Sequence, residues 1–315
     1  MRAPAADAPG VLSRADLVEA RARLKPFLRR TPLLELAVPT PAGPRAVVFK
    51  LELLQYTGAF KIRGAFNALL QTEAPHVLAC SGGNHGLAVA HAASALGRRA
   101  TIVVPASAAR LKVDFMRRLG ADVREVGATP AEAFAAAEDL RILEGLPMVH
   151  PYDQAEVIAG QGTLGLELQR EAPQVRAWLL AVGGGGLAAG CALALEGHAD
   201  VIPVEPAGCP QLAMAQAAGR PVEAMAMGVA ATSLGPPSLG ALPWAILKDR
   251  IGAAVLVEDA AILAAQAWLW RTARLVVEPG GAAALAALMS GAWVPAEEQP
   301  VGVVLCGGNA DALPG

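Results

Sequence analysis

Lys61 is the first residue of this sequence to suggest chemistry. It stands in Gly58-Ala59-Phe60-Lys61-Ile62-Arg63-Gly64-Ala65, among small and apolar neighbours. Desolvation in such a setting lowers an amine's pKa. A lysine so lowered is a competent nucleophile for Schiff-base chemistry. The competing reading is a surface lysine that snorkels its ammonium to water, but the flanking glycines and Phe60 make a poor solvent face.

Three glycine turns accompany it. Gly183-Gly184-Gly185-Gly186 follows an apolar run and precedes another. Glycine lets a backbone approach a ligand closely, and the free N–H groups of a following helix attract an anion such as phosphate. A plain tight turn between strand and helix competes, although turns seldom need four glycines. Ser81-Gly82-Gly83-Asn84-His85-Gly86 offers polar side chains beside exposed N–H groups, which suits a carboxylate. A capped turn with a surface His85 competes there. Cys306-Gly307-Gly308-Asn309 ends the apolar run at residues 301–305. In open parallel sheets, ligands sit beyond the carboxyl ends of strands.

The elements that must position these groups are legible in outline. Residues 13–25 read as a helix capped by Ser13 and stopped by Pro26, with Leu17, Ala20 and Leu24 on one face. Strands are expected at 46–51, 77–79, 100–104, 122–126, 177–182, 201–205 and 301–305. Helices are expected from near Phe60 to 70, and at 87–96, 109–119, 130–143, 156–170 and 187–195. In the helix at 109–119, Leu111, Phe115 and Leu119 align. Strands alternating with such helices imply parallel βαβ units. Pro236-Pro237 marks a loop, and residues after Asp311 read as a short tail with no regulatory module expected beyond it.

Composition narrows the classes. The 315 residues suggest about two domains at ~150 residues each. Lys and Arg number 26 against 28 Asp and Glu, so no basic excess drives nucleic-acid binding. Residues 177–195 carry no charge and are long enough to span a bilayer. Their four central glycines favour strand, turn and helix instead. Near the start, Arg2, Asp7, Arg14 and Asp16 leave no apolar signal region. Cys80, Cys191, Cys209 and Cys306 form no C-x-x-C pair; they read as reduced thiols of a cytoplasmic protein.

One alternative uses a nicotinamide cofactor. Gly184, Gly186 and Gly190 approximate a dinucleotide fingerprint, and Glu205 ends the next strand where a ribose-binding acid is expected. That oxidoreductase reading leaves the other three segments unexplained.

Taken together the segments resemble the type II fold of pyridoxal-phosphate enzymes, in the serine/threonine dehydratase and serine racemase branch. The resemblance runs from about Ser13 to Asp311. It rests on the Lys61 segment, residues 81–86, the run 150–165 (HPYDQAEVIAGQGTLG), Gly183 to Leu187, Glu278-Pro279 and Cys306 to Asn309. It implies a two-domain α/β fold like that of tryptophan synthase β, with open, mostly parallel sheets and helices on both faces. The large domain would be residues 1–73 and 150–315, the small one 74–149, with the site between them.

The resemblance also implies roles. Lys61 and Ser81 would be catalytic. Lys61 would hold pyridoxal 5'-phosphate as a Schiff base, with Phe60 near its ring. Gly183, Gly184, Gly185, Gly186 and Leu187 would bind the phosphate. Asn84 would reach the ring hydroxyl, and Glu278 and Cys306 would complete the cofactor site, with Cys306 facing the ring nitrogen. Ser81, Gly83, Asn84 and His85 would receive the substrate carboxylate. The implied reaction is β-elimination from a 3-hydroxy amino acid such as L-threonine, L-serine or a bulkier analogue, yielding a 2-oxo acid and ammonia. A homodimer acting on a small amino acid, without nucleic acid or membrane, is implied as well.

Three positions depart from the branch. Gly82 stands where its racemases carry a serine, which disfavours an amino-acid racemase. Glu205 matches a cation-site glutamate, but Gln211 stands near where a further acid belongs, so no metal is expected. Met227, in Ala226-Met227-Gly228, replaces an acid and suggests room for an apolar β-substituent.

Overall fold

Two sheets organise the residues described in this computed structural model, which are 12–296 and 299–310. The strands are β1 (Leu33–Thr40), β2 (Gly43–Lys50), β3 (His76–Cys80), β4 (Arg99–Val104), β5 (Asp122–Glu125), β6 (Ala177–Ala181), β7 (Asp200–Pro206), β8 (Val255–Val257) and β9 (Val301–Val304). The helices run α1 (Arg14–Leu24), α2 (Ile62–Leu69), α3 (Asn84–Ala95), α4 (Arg110–Arg118), α5 (Pro130–Glu144) and α6 (Ala155–Glu171). They continue α7 (Gly186–Leu195), α8 (Gln211–Ala218), α9 (Ala231–Leu234), α10 (Ala241–Leu247), α11 (Asp259–Ala273) and α12 (Pro279–Ser290).

The larger sheet has the order β1-β2-β9-β6-β7-β8; the smaller is β3-β4-β5. All pairings are parallel except the β1–β2 hairpin at the edge. This is the α/β architecture expected, with the large sheet drawing strands from both ends of the sequence. Ala177–Ala181 is buried throughout, as a central parallel strand must be. The uncharged run at 177–195 is therefore β6, a glycine turn and α7. No helix among the described residues is long and apolar enough to cross a membrane.

Glycines set how the helices stack. A Cβ on Gly64 of α2 would lie 2.5 Å from Gln161 Nε2, and one on Gly160 of α6 would lie 2.5 Å from the Arg63 carbonyl oxygen. One turn on, a Cβ on Gly190 of α7 would lie 2.5 Å from the Gly162 nitrogen. Helices α2, α6 and α7 thus pack backbone against backbone. That stacking brings the start of α2, which carries Lys61, near the start of α7, which carries the glycine turn. Gly190 is a packing residue of the α6–α7 crossing rather than a nucleotide contact.

A buried charge network locks the same assembly. Arg63 and Lys50 are fully buried. Arg63 Nε lies 2.7 Å from Glu52, and Arg63 Nη1 lies 2.8 Å from Glu167. Lys50 Nζ is 2.9 Å from both Glu167 and Glu171. Thr31 Oγ1 donates to Glu52 at 2.6 Å. Burial alone would raise the Glu167 carboxyl, but Arg63 and Lys50 overcome it and hold the group at about 2. Burial opposes the Arg63 charge in turn, and Glu52 and Glu167 more than restore it.

Several expectations need correction. Strand β1 was not expected, because Leu33–Thr40 contains Pro39 and reads without strict alternation; as an edge strand it tolerates the proline. Helix α3 begins at Asn84, so His85 and Gly86 are helical rather than turn residues. On α4 the stripe of Leu111 and Phe115 faces outward, with Leu111 72% exposed, while Val113 and Met116 are buried. Met116 packs over Gly86, where a Cβ would lie 2.8 Å from its Cε, so that face of α4 turns inward. The tail read past Asp311 lies outside the described residues.

Two outcomes are expected. Gly190→Ala should overpack the crossing and cost about 1–3 kcal/mol in urea unfolding. For Glu167 the folded pKa lies below the ordinary 4.5, so its stabilisation is full above pH 4.5 and is lost as pH falls through about 2. The span corresponds to about 3 kcal/mol. Glu167→Gln should remove that acid-side slope from the stability profile.

Candidate active site

Lys61 immediately precedes α2, held by the glycine contacts and the charge network described above. Its Nζ donates to the Pro151 carbonyl at 2.7 Å and lies 5.2 Å from the Phe60 ring centre. Burial of the amine lowers its pKa to about 8, although the nearby Glu278 pulls the other way. The snorkelling alternative therefore fails: the ammonium points inward to a protein carbonyl.

The third glycine turn meets this segment directly. Phe60 N–H donates to the Cys306 carbonyl at 3.1 Å, and Gly308 N–H to the Gly58 carbonyl at 2.9 Å. Cys306 is buried, its Sγ 3.8 Å from the Gly280 carbonyl oxygen. Burial, then the nearby Glu278, pushes the thiol up to about 12, so it is neutral at physiological pH.

A polar chain then crosses from one sheet's elements to the other's. Asn84 Nδ2 donates to Glu278 at 2.6 Å. Asn309 Nδ2 lies 2.8 Å from Asn84 Oδ1 and 2.7 Å from the Thr57 carbonyl, donating to both. Glu278 N–H bonds the Gly307 carbonyl at 3.1 Å. A side chain on Gly307 would overlap the Glu278 carboxylate. Thr57, four residues before Lys61, has φ +60°, a left-handed conformation rare for a β-branched residue.

The anion turn meets the segment that follows the Lys61 acceptor, since Tyr152 packs against Gly184 and Gly186. Gly185 has φ +90° and caps α7. The first intrahelical bond is from Ala189 N–H to the Gly185 carbonyl, which leaves the N–H groups of Gly186, Leu187 and Ala188 without helical partners. A Cβ on Gly184 would overlap the Tyr152 ring, and one on Gly183 would lie 3.1 Å from Leu234 Cα. Leu234 ends α9, whose Thr232 carbonyl oxygen lies 3.9 Å from where a Gly83 Cβ would stand. Short α9 therefore spans from the anion turn to the loop at 81–83.

In that loop, Ser81 Oγ accepts from Gly83 N–H at 3.2 Å. The His85 side chain turns away from it and is buried. Its Nε2 is 2.8 Å from the Val149 carbonyl, so only its backbone N–H is available to a ligand at the helix start. Glu205 stands apart. Its carboxylate accepts from Leu212 and Ala213 N–H at 2.7 and 3.0 Å, capping α8. That use removes it as a ribose ligand, and the dinucleotide reading loses both its glycine and its acid. Burial raises Glu205 to about 7. Among the described residues, no cluster of three metal-ligating side chains occurs.

Four residues were not singled out for a role: Tyr152, Asp153, Thr57 and Asn309. Tyr152 and Asp153 sit in the quoted run 150–165, and Asn309 closes the Cys306 motif. Asp153 caps α10 through Ala241 and Leu242 N–H at 3.0 and 2.8 Å. Motif context marked all but Thr57, and none showed its partner, which lies far away in sequence.

These residues fit the cofactor implied by the resemblance. A carbonyl cofactor needs a desolvated amine, and Lys61 supplies one. A phosphate needs free N–H donors, and the start of α7 supplies those of Gly186 and Leu187.

The comparisons agree. Residues 24–307 match the family model described as pyridoxal-phosphate dependent enzyme. The chain is 35% identical to a serine racemase of Arabidopsis thaliana, covering 94% of this chain and 92% of that one. It is 37% identical to a phenylserine dehydratase of Ralstonia pickettii, covering 93% and 91%. The solved structure of a serine racemase from maize superposes with a TM-score of 0.87 at 30% identity, covering 96% of this chain and 94% of that one. A solved threonine deaminase superposes with a TM-score of 0.86 at 36% identity, covering 95% and 99%.

Competitive acylation of lysines, read by mass spectrometry across pH, should give Lys61 a midpoint near 8 in the cofactor-free chain. Exposed lysines should titrate about two units higher; a Lys61 midpoint among theirs would contradict the burial described.

Proposed function

Because the chain belongs to the pyridoxal-phosphate dependent enzyme family, we propose that it works as an ammonia-lyase of the dehydratase type. It takes a 3-hydroxy amino acid and releases ammonia and a 2-oxo acid; the water lost in the elimination is taken up again when the product imine hydrolyses. The observation that carries elimination over racemisation is Gly82. Elimination needs one base at the α-carbon, whereas racemisation also needs a group that delivers a proton to the opposite face. Position 82 has no side chain, and a Cβ there would lie 2.7 Å from Ala108 Cβ, so Ala108 fills the space. Likeness to a serine racemase is accounted for by the shared fold and cofactor site.

Pyridoxal phosphate, when bound, supplies the electron sink for the α-carbon. The chain's own residues do the rest. Lys61 is the attachment point and, once free, the base that takes the α-proton; with a pKa of about 8 its neutral form is appreciable at pH 7 to 8. The N–H groups of residues 183–187 hold the phosphate, with Tyr152 packed on Gly184 as a wall. Asn84, oriented by Glu278 and Asn309, would hold the ring hydroxyl. Cys306, neutral, would be the partner of the ring nitrogen and would offer it no ionic bond. Ser81 and the N–H groups at the start of α3, including that of His85, receive the substrate carboxylate, in the loop that Gly83 shapes through its bond to Ser81.

Residues 1–73 and 150–315 form the large domain of this reading, and residues 74–149 the small one. Four free cysteines suit a reducing cytoplasm, and the enzyme acts there as a homodimer. Met227 is 58% exposed on the segment leading to α9. The apolar side chain at that sequence position is the ground for expecting a β-substituent larger than methyl, and the likeness to a phenylserine dehydratase supports the same preference.

The purified protein should show a visible absorbance band that shifts on adding substrate. It should release 2-oxo acid faster from 3-phenylserine than from threonine. Lys61→Ala should abolish the band and lower turnover at least about a thousandfold. Chiral analysis of unreacted substrate should show no inversion; accumulation of the opposite enantiomer would favour a racemase.

A further inference from the structure

His85 carries a signal that the carboxylate reading does not absorb. Its imidazole is buried, 2% exposed, one residue into α3. Because a carbonyl only accepts, the 2.8 Å contact with the Val149 carbonyl fixes the proton on Nε2. Nδ1 then keeps an acceptor lone pair, and among the described residues it has no partner. Burial lowers the ring's pKa to about 3, with Lys61 contributing, so it stays neutral and keeps donating from one nitrogen.

The carbonyl it holds belongs to the segment that receives Lys61. Val149 N–H donates to the Leu78 carbonyl at 2.8 Å, anchoring one side of the segment to the small sheet. His85 anchors the other side. Two residues on, the Pro151 carbonyl accepts the Lys61 amine at 2.7 Å. Between them, His150 N–H is taken by Gln154 Oε1 at 2.9 Å, and His150 Nδ1 accepts from Asp153 N–H at 2.8 Å. Pro151 has no N–H of its own with which to fix its peptide. Its carbonyl is placed by these neighbours.

We propose that His85 is a positioning residue for Lys61, holding residues 149–151 so that the Pro151 carbonyl receives the amine whenever Lys61 is free. The proposal rests on the reading of Lys61 as the reactive amine. A carbonyl acceptor stabilises the ammonium form over the amine. It therefore counters the desolvation that lowers Lys61, and it gives the released side chain one defined resting place. The titratable groups facing Lys61 are Cys306 beyond β9, Glu278 before α12, His85 on α3 and His150 on the crossing segment. Cys306 and His85 are neutral across the working range, so neither masks the effect.

The test is the acylation midpoint of Lys61 in the full-length chain, freed of cofactor with hydroxylamine, with a thermal melt on each variant. His85→Met removes the donor and should move the midpoint down by roughly one pH unit, a tenfold change in the neutral fraction. His85→Gln places an N–H near the original Nε2 and should restore the parent midpoint. His85→Asn falls short of Val149 and should behave as Met does. A merely structural role would lower the melting temperature and leave all midpoints equal, and that result overturns the proposal. Should His85→Met fail to fold, the Gln and Asn pair decides it: different midpoints support the proposal and equal ones overturn it. Absence of a visible band in the unmodified holoprotein would sink the functional reading but would not touch this comparison.

Discussion

Arg63 is a fully buried cation, and much of the molecule is arranged around keeping it neutralised. Its carboxylate partners come from a short turn after β2 and from α6, and Lys50 of β2 completes the set. Removing one partner of such a network leaves an uncompensated charge in a medium that cannot solvate it, at a cost of about 3–5 kcal/mol. The edge of the large sheet, α2 and α6 therefore hold one relative placement. Lys61 lies two residues before Arg63 and inherits that placement. Its reactivity depends on burial, and its burial depends on α2 staying seated on α6.

The same logic explains the number of glycines on α6. Gly160 admits α2, and Gly162 and Gly165 admit α7. Close backbone approach at both crossings holds two helix starts on one stack. One bears the amine and the other a set of free N–H donors. Their placement is thus a product of helix stacking, and the glycine turn is only its visible end.

Much of this was legible locally. Lys61 and the three glycine turns announced themselves by composition, and the apolar runs of β6 and β9 by length. Less was legible where the signal depends on distant partners. Asn309 gains meaning only through Asn84, 225 residues away. His85 looked like a turn residue because its burial is set by Val149. Helix α12, Pro279–Ser290, is Ala-rich and buried on most sides, so it shows no amphipathic contrast for a periodicity argument to use. On α4 the periodicity was present but chose the wrong face, since the pocket provided by Gly86 outweighed the leucine stripe.

The chain enters and leaves the three-stranded sheet side by side. Leu78 of β3 bridges to Met148, with Leu78 N–H on the Pro147 carbonyl and Val149 N–H on the Leu78 carbonyl. The segment that brings the chain back from the small sheet is thus also the one whose carbonyl holds the Lys61 amine, so the reactive group is mounted where the chain is bonded back to the strand by which it entered.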